Sequence, residues 1–184
     1  MTGIAAITWE QFQRDWPLRW ETLLQNQAED ENPFLSLPWL QAWWTHFGRD
    51  QRSEILLDPD HQAALFTRHL RESYHGAPLR MVRAWVNSHC ARAGVVPGTA
   101  PEQFAQNLAR HWQQTRKDWD VLRLQGLPAE FAALLAPSLA AQGFKVICER
   151  QWAHYWLPID QPWPVYFAAL SSETRRVQGR HGRR

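Results

Sequence analysis

The chain has 184 residues, enough for one domain with a sizeable core, and its 45% hydrophobic and 21% charged content is that of an ordinary globular protein. Its net charge of +2 misleads: Arg175, Arg176, Arg180, Arg183 and Arg184 lie in the last ten residues, and the remainder holds 15 basic against 18 acidic residues, a charge of −3. A basic face for nucleic acid is therefore not visible, two distant cysteines make no disulfide framework or metal spacing, and no apolar run approaches the ~18 residues of a membrane span.

Taken in chain order, the N-terminus turns polar after seven positions and is no signal peptide, which with the cysteine usage points to a cytoplasmic protein. Thr8-Trp9-Glu10-Gln11 has the spacing of a capping box opening a helix, interrupted at Pro17 and resumed toward Leu24. The stretch NPFLSLPWLQAWWTHFG, residues 32–48, predicts a helix capped at Ser36 or Leu37 with Pro38 in its first turn. Leu40, Trp43, Trp44 and Phe47 fall at i, i+3, i+4 and i+7, one stripe to be buried, and Gly48 suits the C-terminal cap. The twelve tryptophans read mainly as packing.

Two β-like runs follow, SEILLDPD and HQAALFTRHL, joined at Asp58-Pro59-Asp60, then LRMVRAW and AGVV. Thr99-Ala100-Pro101-Glu102 predicts a second capping box before a helix with Phe104, Leu108, His111, Trp112 and Thr115 on one face. WDVLRLQG predicts a strand, PAEFAALLAPSLAAQG a helix, FKVICER and AHYWLPI strands, and residues 164–170 a last helix. The order implies an α/β (α+β) layered domain, a mixed β-sheet with helices on both faces.

Most catalytic signatures are absent: no phosphate loop, GxGxxG, HExxH, CxxC or GxSxG occurs. His89-Cys90 invites a nucleophile–base pair, but neighbours on a strand point to opposite faces; Cys148 alternates with Phe144 and Val146 as a core thiol would. Arg83, Asn87, His89 and Arg92 cluster at the end of the third strand, where polar side chains often line a cleft. Asn87 can donate and accept, His89 titrates near neutrality and Arg92 can grip a carboxylate or phosphate with two bonds. With Trp44 and His46 nearby, these residues form the candidate site for a small-molecule or sugar acceptor, against the alternative that they satisfy loop backbone. No metal ligands are evident. The tail RRVQGRHGRR matches only half of the acyl-CoA pyrophosphate pattern R/Q-x-x-G-x-G/A, since His181 stands where glycine or alanine is needed.

The 32–48 stretch resembles the N-terminal signature of the GNAT-like acetyltransferases associated with cellulose biosynthesis, the CelD/BcsL type. Asn32, Pro33, Phe34, Ser36, Trp39, Leu40, Trp43, Trp44, Phe47 and Gly48 carry the match. MVRAWVNSHCARAGVV, WDVLRLQGLP and WPVYFAALSSETRR agree in order. The resemblance implies a GNAT-like fold and an acyltransferase that uses acetyl-CoA or another acyl-CoA as co-substrate. It also implies a two-half architecture, of which this chain reads as the first half, residues 1–171, followed by a basic, unstructured tail at 172–184 where Gly179 and Gly182 break a helix. A missing second half would be the partner. The alternative is a non-catalytic scaffold or acceptor-recognition domain.

Overall fold

Alternation of apolar residues in two long strands builds the centre of the sheet, because a period of two sends successive side chains to opposite faces. The structure is a computed structural model that describes residues 3–25, 32–48, 52–60, 62–87, 90, 92–150 and 161–181. β2 (Arg52–Asp58) and β3 (Ala63–Tyr74) pair antiparallel, with Ile55 opposite Phe66 and Leu56 opposite Leu65. β1 (Ala5–Ile7) adds to the free edge of β2, and β4 (Ala77–Ala84) lies antiparallel on β3. β6 (Val121–Arg123) runs parallel to β4, while β5 (Val95–Val96) pairs with the start of β3. The spatial order is β1-β2-β3-β4-β6, so the sheet is mixed.

Both faces carry helices, as the order of elements implies. Ile55, Leu57, Ala64 and Phe66 are buried with Trp9 and Phe12 of α1 (Trp9–Asp15), Trp20 of α2 (Pro17–Gln25), and Leu40 and Trp43 of α3 (Leu37–Trp43). Leu56, Leu65, Val82 and Ala84 meet Phe104, Leu108 and Trp112 of α4 (Pro101–Gln114) and Phe131 and Leu135 of α5 (Ala129–Ala141). The chain divides into two compact units, Met1–Cys148 and Glu149–Arg184; the second contains α6 (Trp163–Ala169) and α7 (Ser172–His181). The boundary anticipated at residue 171 falls inside that second unit.

Local signals in the sequence explain most element ends. Thr8 caps α1 through its hydroxyl and Gln11 returns the bond to the Thr8 N–H, a reciprocal box worth about 1 kcal/mol at the cap. Pro17 begins α2, where a missing N–H is harmless. Asn32 caps a 3₁₀ turn, Pro33–Leu35, by accepting from the Phe34 N–H, and the Leu35 carbonyl takes the Trp20 indole N–H at 2.8 Å.

Five expectations need correction. Phe47 is 40% exposed, although Leu40 and Trp43 are buried, because the chain widens into a π turn over Trp44–Gly48. A π turn holds more residues than an α turn, so position i+7 rotates off the stripe. Gly48 is not a left-handed cap; a Cβ there would stand 2.4 Å from the Trp44 ring, so glycine makes the seat for that indole. The cap of α4 is Ala100 rather than Thr99, with no side-chain cap bond. Residues 144–150 are not a strand and Cys148 is exposed: Phe144 and Val146 pack on the core, but no ladder forms with a described strand. The anticipated strand AHYWLPI lies outside the described residues. Finally, α7 passes through Gly179, so that glycine does not end the helix and residues 172–181 are helical.

The π turn yields a paired test. Leu40→Ala should cost about 2–5 kcal/mol as a large-to-small core change. Phe47→Ala should cost well under half as much, since its ring is already partly in water. Urea midpoints of the two variants measure the contrast; equal losses would mean that the stripe is continuous through Phe47.

Candidate functional site

β3 meets β4 and β5 along one edge, and the ladder is interrupted between them. The Trp85 N–H gives to the Phe66 carbonyl at 3.1 Å, and the Phe66 N–H gives to the Gly94 carbonyl at 2.8 Å. One residue of β3 thus holds both ends of an excursion, of which residues 86, 87, 90, 92 and 93 are described, and β5 then resumes the ladder. Gly94 lies against the Phe66 ring: a Cβ there would sit 3.1 Å from it. Within the excursion Asn87 and Cys90 exchange backbone bonds at 3.1 and 3.2 Å, and the Ala93 N–H reaches the Gly126 carbonyl beyond β6 at 2.8 Å. The excursion therefore crosses the carboxyl ends of the parallel pair β4 and β6, the place where open α/β sheets bind ligands.

An aromatic wall stands beside it. Trp43 stacks on Trp85 with centroids 4.4 Å apart and planes at 11°, and Trp44 stacks on both Trp85 and Trp9 at 5.8 Å. The Trp85 indole N–H is taken by the Thr67 carbonyl at 2.9 Å. The Trp43 indole N–H is buried without a hydrogen-bond partner.

Next to the wall lies a cationic floor on the same face of the sheet as Phe66. Arg68 and Arg83 are cross-strand partners on β3 and β4. The Arg68 guanidinium lies 5.4 Å from the centre of the Trp43 ring and donates to the Val86 carbonyl at 3.1 Å. Arg83 pairs with Glu72 at 2.6 Å and donates to Gln125 at 2.9 Å. Burial, and then the neighbouring Arg83, push the Arg68 pKa below its ordinary value. Such a pair prefers an anion in reach.

Of the residues anticipated for the site, Trp44 is half-buried in the wall and contributes one edge. His46 is exposed at the π turn, its ring edge-on to that of Phe47 with centroids 6.4 Å apart. Asn87 and Arg92 are partly buried in the excursion, and the Arg92 carbonyl accepts from the Cys90 thiol at 3.2 Å. His89 lies outside the described residues. Arg83 takes its place in the floor. Arg68, Glu72 and Gln125 were not anticipated; their convergence depends on strand register, which only pairing reveals. Burial pushes the Cys90 thiol up to about 11, so it stays protonated and is no nucleophile at neutral pH.

The one His–carboxylate hydrogen bond among the described residues lies on the opposite face. His69 Nε2 is 3.0 Å from Glu54, which also receives the Arg52 guanidinium at 2.6 Å. The His69 bond, then Arg52, hold the Glu54 carboxyl down at about 2. On α4, burial lowers the pKa of His111 within the field of the same pair.

No protein-family model, curated protein or solved structure matches this chain.

Glu54 generates a pH test. Its folded pKa lies below the unfolded value of 4.5, so its contribution to stability is complete above that value and vanishes as pH falls through about 2. Glu54→Gln should therefore be less stable than the parent at pH 7, with the gap closing toward pH 2. Urea midpoints at pH 7, 4.5 and 2.5 measure it; a gap that does not change with pH would show that the carboxylate's charge contributes nothing.

Proposed function

We propose that this chain is a domain of the GNAT-like acyltransferase family, handling an acyl-CoA-class ligand at the crevice beyond β4 and β6. The observation that carries this reading is the parallel β4–β6 pair joined through α4. Helix α4 begins just after the excursion and β5, with no side-chain cap on its first turn. Backbone N–H groups at such a helix start suit phosphate groups, which a coenzyme A ligand carries. The resemblance of residues 32–48 supports the same family, and these residues build the helix that holds the aromatic wall. Two free cysteines suit a cytoplasmic setting, and none of the described helices is long and apolar enough to cross a membrane.

A second reading, an acceptor-recognition domain without chemistry of its own, is favoured by one observation. Glu54 and His69 lie on the α4 side of the sheet, whereas the arginine floor lies on the α1–α3 side. An acyl transfer needs a group to drain the amine proton within reach of the nucleophile. That pair is not placed for it.

Titration calorimetry with acetyl-CoA tests the family reading, with an expected Kd on the order of micromolar, about −8 kcal/mol. Gln103→Glu adds a negative charge to the first turn of α4, where the helix dipole tolerates it, and should weaken binding without lowering the melting temperature. No heat at millimolar acetyl-CoA would sink the proposal. Release of free thiol from acetyl-CoA in the presence of amine or sugar acceptors separates the two readings: binding with turnover supports the enzyme, binding without it the recognition domain.

A further inference from the structure

Helix α5 is apolar on every side, although one of its sides faces water. Of the 13 residues Ala129–Ala141, Glu130 and Ser138 are the polar ones, and the Ser138 hydroxyl turns back to the Leu134 carbonyl at 2.8 Å. Phe131, Leu135 and Leu139 are buried, while Ala133, Pro137, Ala140 and Ala141 are exposed. A helix that is apolar all round is normally covered all round. Between α5 and α4 runs a groove of about 520 Å³, with Leu134, Pro137 and Ala141 on the α5 side and Glu102, Gln106 and Arg110 on the α4 side.

The α4 side carries a charge pattern of its own. Glu102, Gln106 and Arg110 are exposed and fall at i, i+4 and i+8, which sets them in one row about 6 Å apart along the helix axis. Among the described residues neither charge meets an opposite one: Arg110 donates to the Asn107 amide oxygen, and Glu102 makes no ion pair. The row is self-complementary. Turned end for end, it sets acid against base at both ends and Gln106 against a second Gln106 at the centre, whose amide both donates and accepts. Two-fold symmetry performs that inversion, because residue i of each copy then meets residue j of the other. An unrelated partner would have to carry the same order reversed; a second copy of this chain carries it by construction.

We infer that the α4–α5 face is an interface between two copies of the chain, with the α4 rows antiparallel and the apolar sides of the two α5 helices closing on each other. Burial of the exposed apolar atoms of α5 drives the association. The charges select the partner and its direction, since exposed ion pairs add orientation more than affinity. Each helix is about 20 Å long and about 10 Å wide, so the two together offer a face on the order of 400 Å². That is small for a permanent complex, and it implies a dimer that dissociates at micromolar concentrations. The inference goes beyond the acyl-CoA reading and does not depend on it.

Sedimentation equilibrium of the full chain, from micromolar to millimolar concentration, reads the association. The parent should form dimers and nothing larger, since a two-fold contact closes on itself. Each substitution acts twice in such a dimer, so Glu102→Arg or Arg110→Glu should weaken association about tenfold or more. An equimolar mixture of these two variants should form a heterodimer, because a row of two bases then faces a row of two acids. The double variant, with both charges reversed, should dimerise like the parent. Gln106→Arg sets two like charges face to face and should weaken association to the same degree. It keeps the test decisive if Arg110→Glu does not fold, since Arg110 also bonds Asn107 and Gln106 makes no such bond. A parent that stays monomeric at millimolar concentration, a dimer indifferent to Glu102→Arg and Gln106→Arg, or larger oligomers in place of a dimer would each overturn the inference. So would two folded single variants that fail to pair with each other.

Discussion

Phe66 is bonded through both of its backbone groups on one edge, to Trp85 by its carbonyl and to Gly94 by its N–H. Most of the site follows from that junction. A strand that pairs with two non-adjacent residues forces the intervening chain out of the sheet, and the excursion must then satisfy its own backbone. Asn87 and Cys90 do so for each other, and Ala93 does so with Gly126. The last of these bonds ties the excursion to the far side of β6. Asn32 adds a weaker tie, its amide N–H reaching the Ala93 carbonyl at 3.4 Å. The asparagine that starts the 32–48 stretch thus caps a turn and touches the excursion at once.

The aromatic core on this face rests on the same junction. Phe66 meets Phe12, Trp20 and Trp85 with centroids 5.1–5.4 Å apart. Tilted and edge-to-face contacts of this kind add to the burial of the rings themselves. Gly94 has no side chain because the Phe66 ring occupies its space, and Gly48 has none because Trp44 does. Two glycines far apart in sequence thus serve the same need, close approach of backbone to a large ring. The indole N–H groups of Trp9 and Trp43 remain without partners inside this core. Trp20 and Trp85, by contrast, each find a carbonyl.

How much of this can be read from the chain itself depends on the range of the interaction. The Thr8–Gln11 box, the Pro17 break and the Asp58–Pro59 turn are local, and all three stand where the spacing puts them. Two-residue alternation in β2 and β3 and helical periodicity in α4 predict both cores. Phe47 fails because a π turn changes the phase of a helix, and residue spacing alone does not announce it. β1 is too short, at three residues, to show a period. Residues 144–150 alternate like a strand, but a strand exists only with a partner, and alternation cannot supply one. The site divides in the same way. Arg83, Asn87 and Arg92 are visible as polar residues at the end of a strand. Arg68 reads as an ordinary charged residue within a strand until the β3–β4 register sets it opposite Arg83.

That register also separates charge by chemistry. Arg68 and His69 are neighbours in sequence, and the pleat sends them to opposite faces of one strand. His69 meets Glu54 beneath α4, and Arg68 meets Trp43 beside α3. A one-residue slip of β3 against β4 would exchange the two, placing a histidine opposite Arg83 and an arginine near Glu54 and His111. The buried sets Leu65/Thr67 and Ala64/Phe66 would exchange faces with them, so the two hydrophobic cores forbid the slip. The positive floor is therefore fixed by residues that never touch it. Any ligand bound there meets guanidiniums and indole edges, while the one described His–carboxylate bond stays on the far side of the sheet. The pleat and the register thus sort the two kinds of side chain, arginines and indoles to the α1–α3 face and the Glu54–His69 pair to the α4 face.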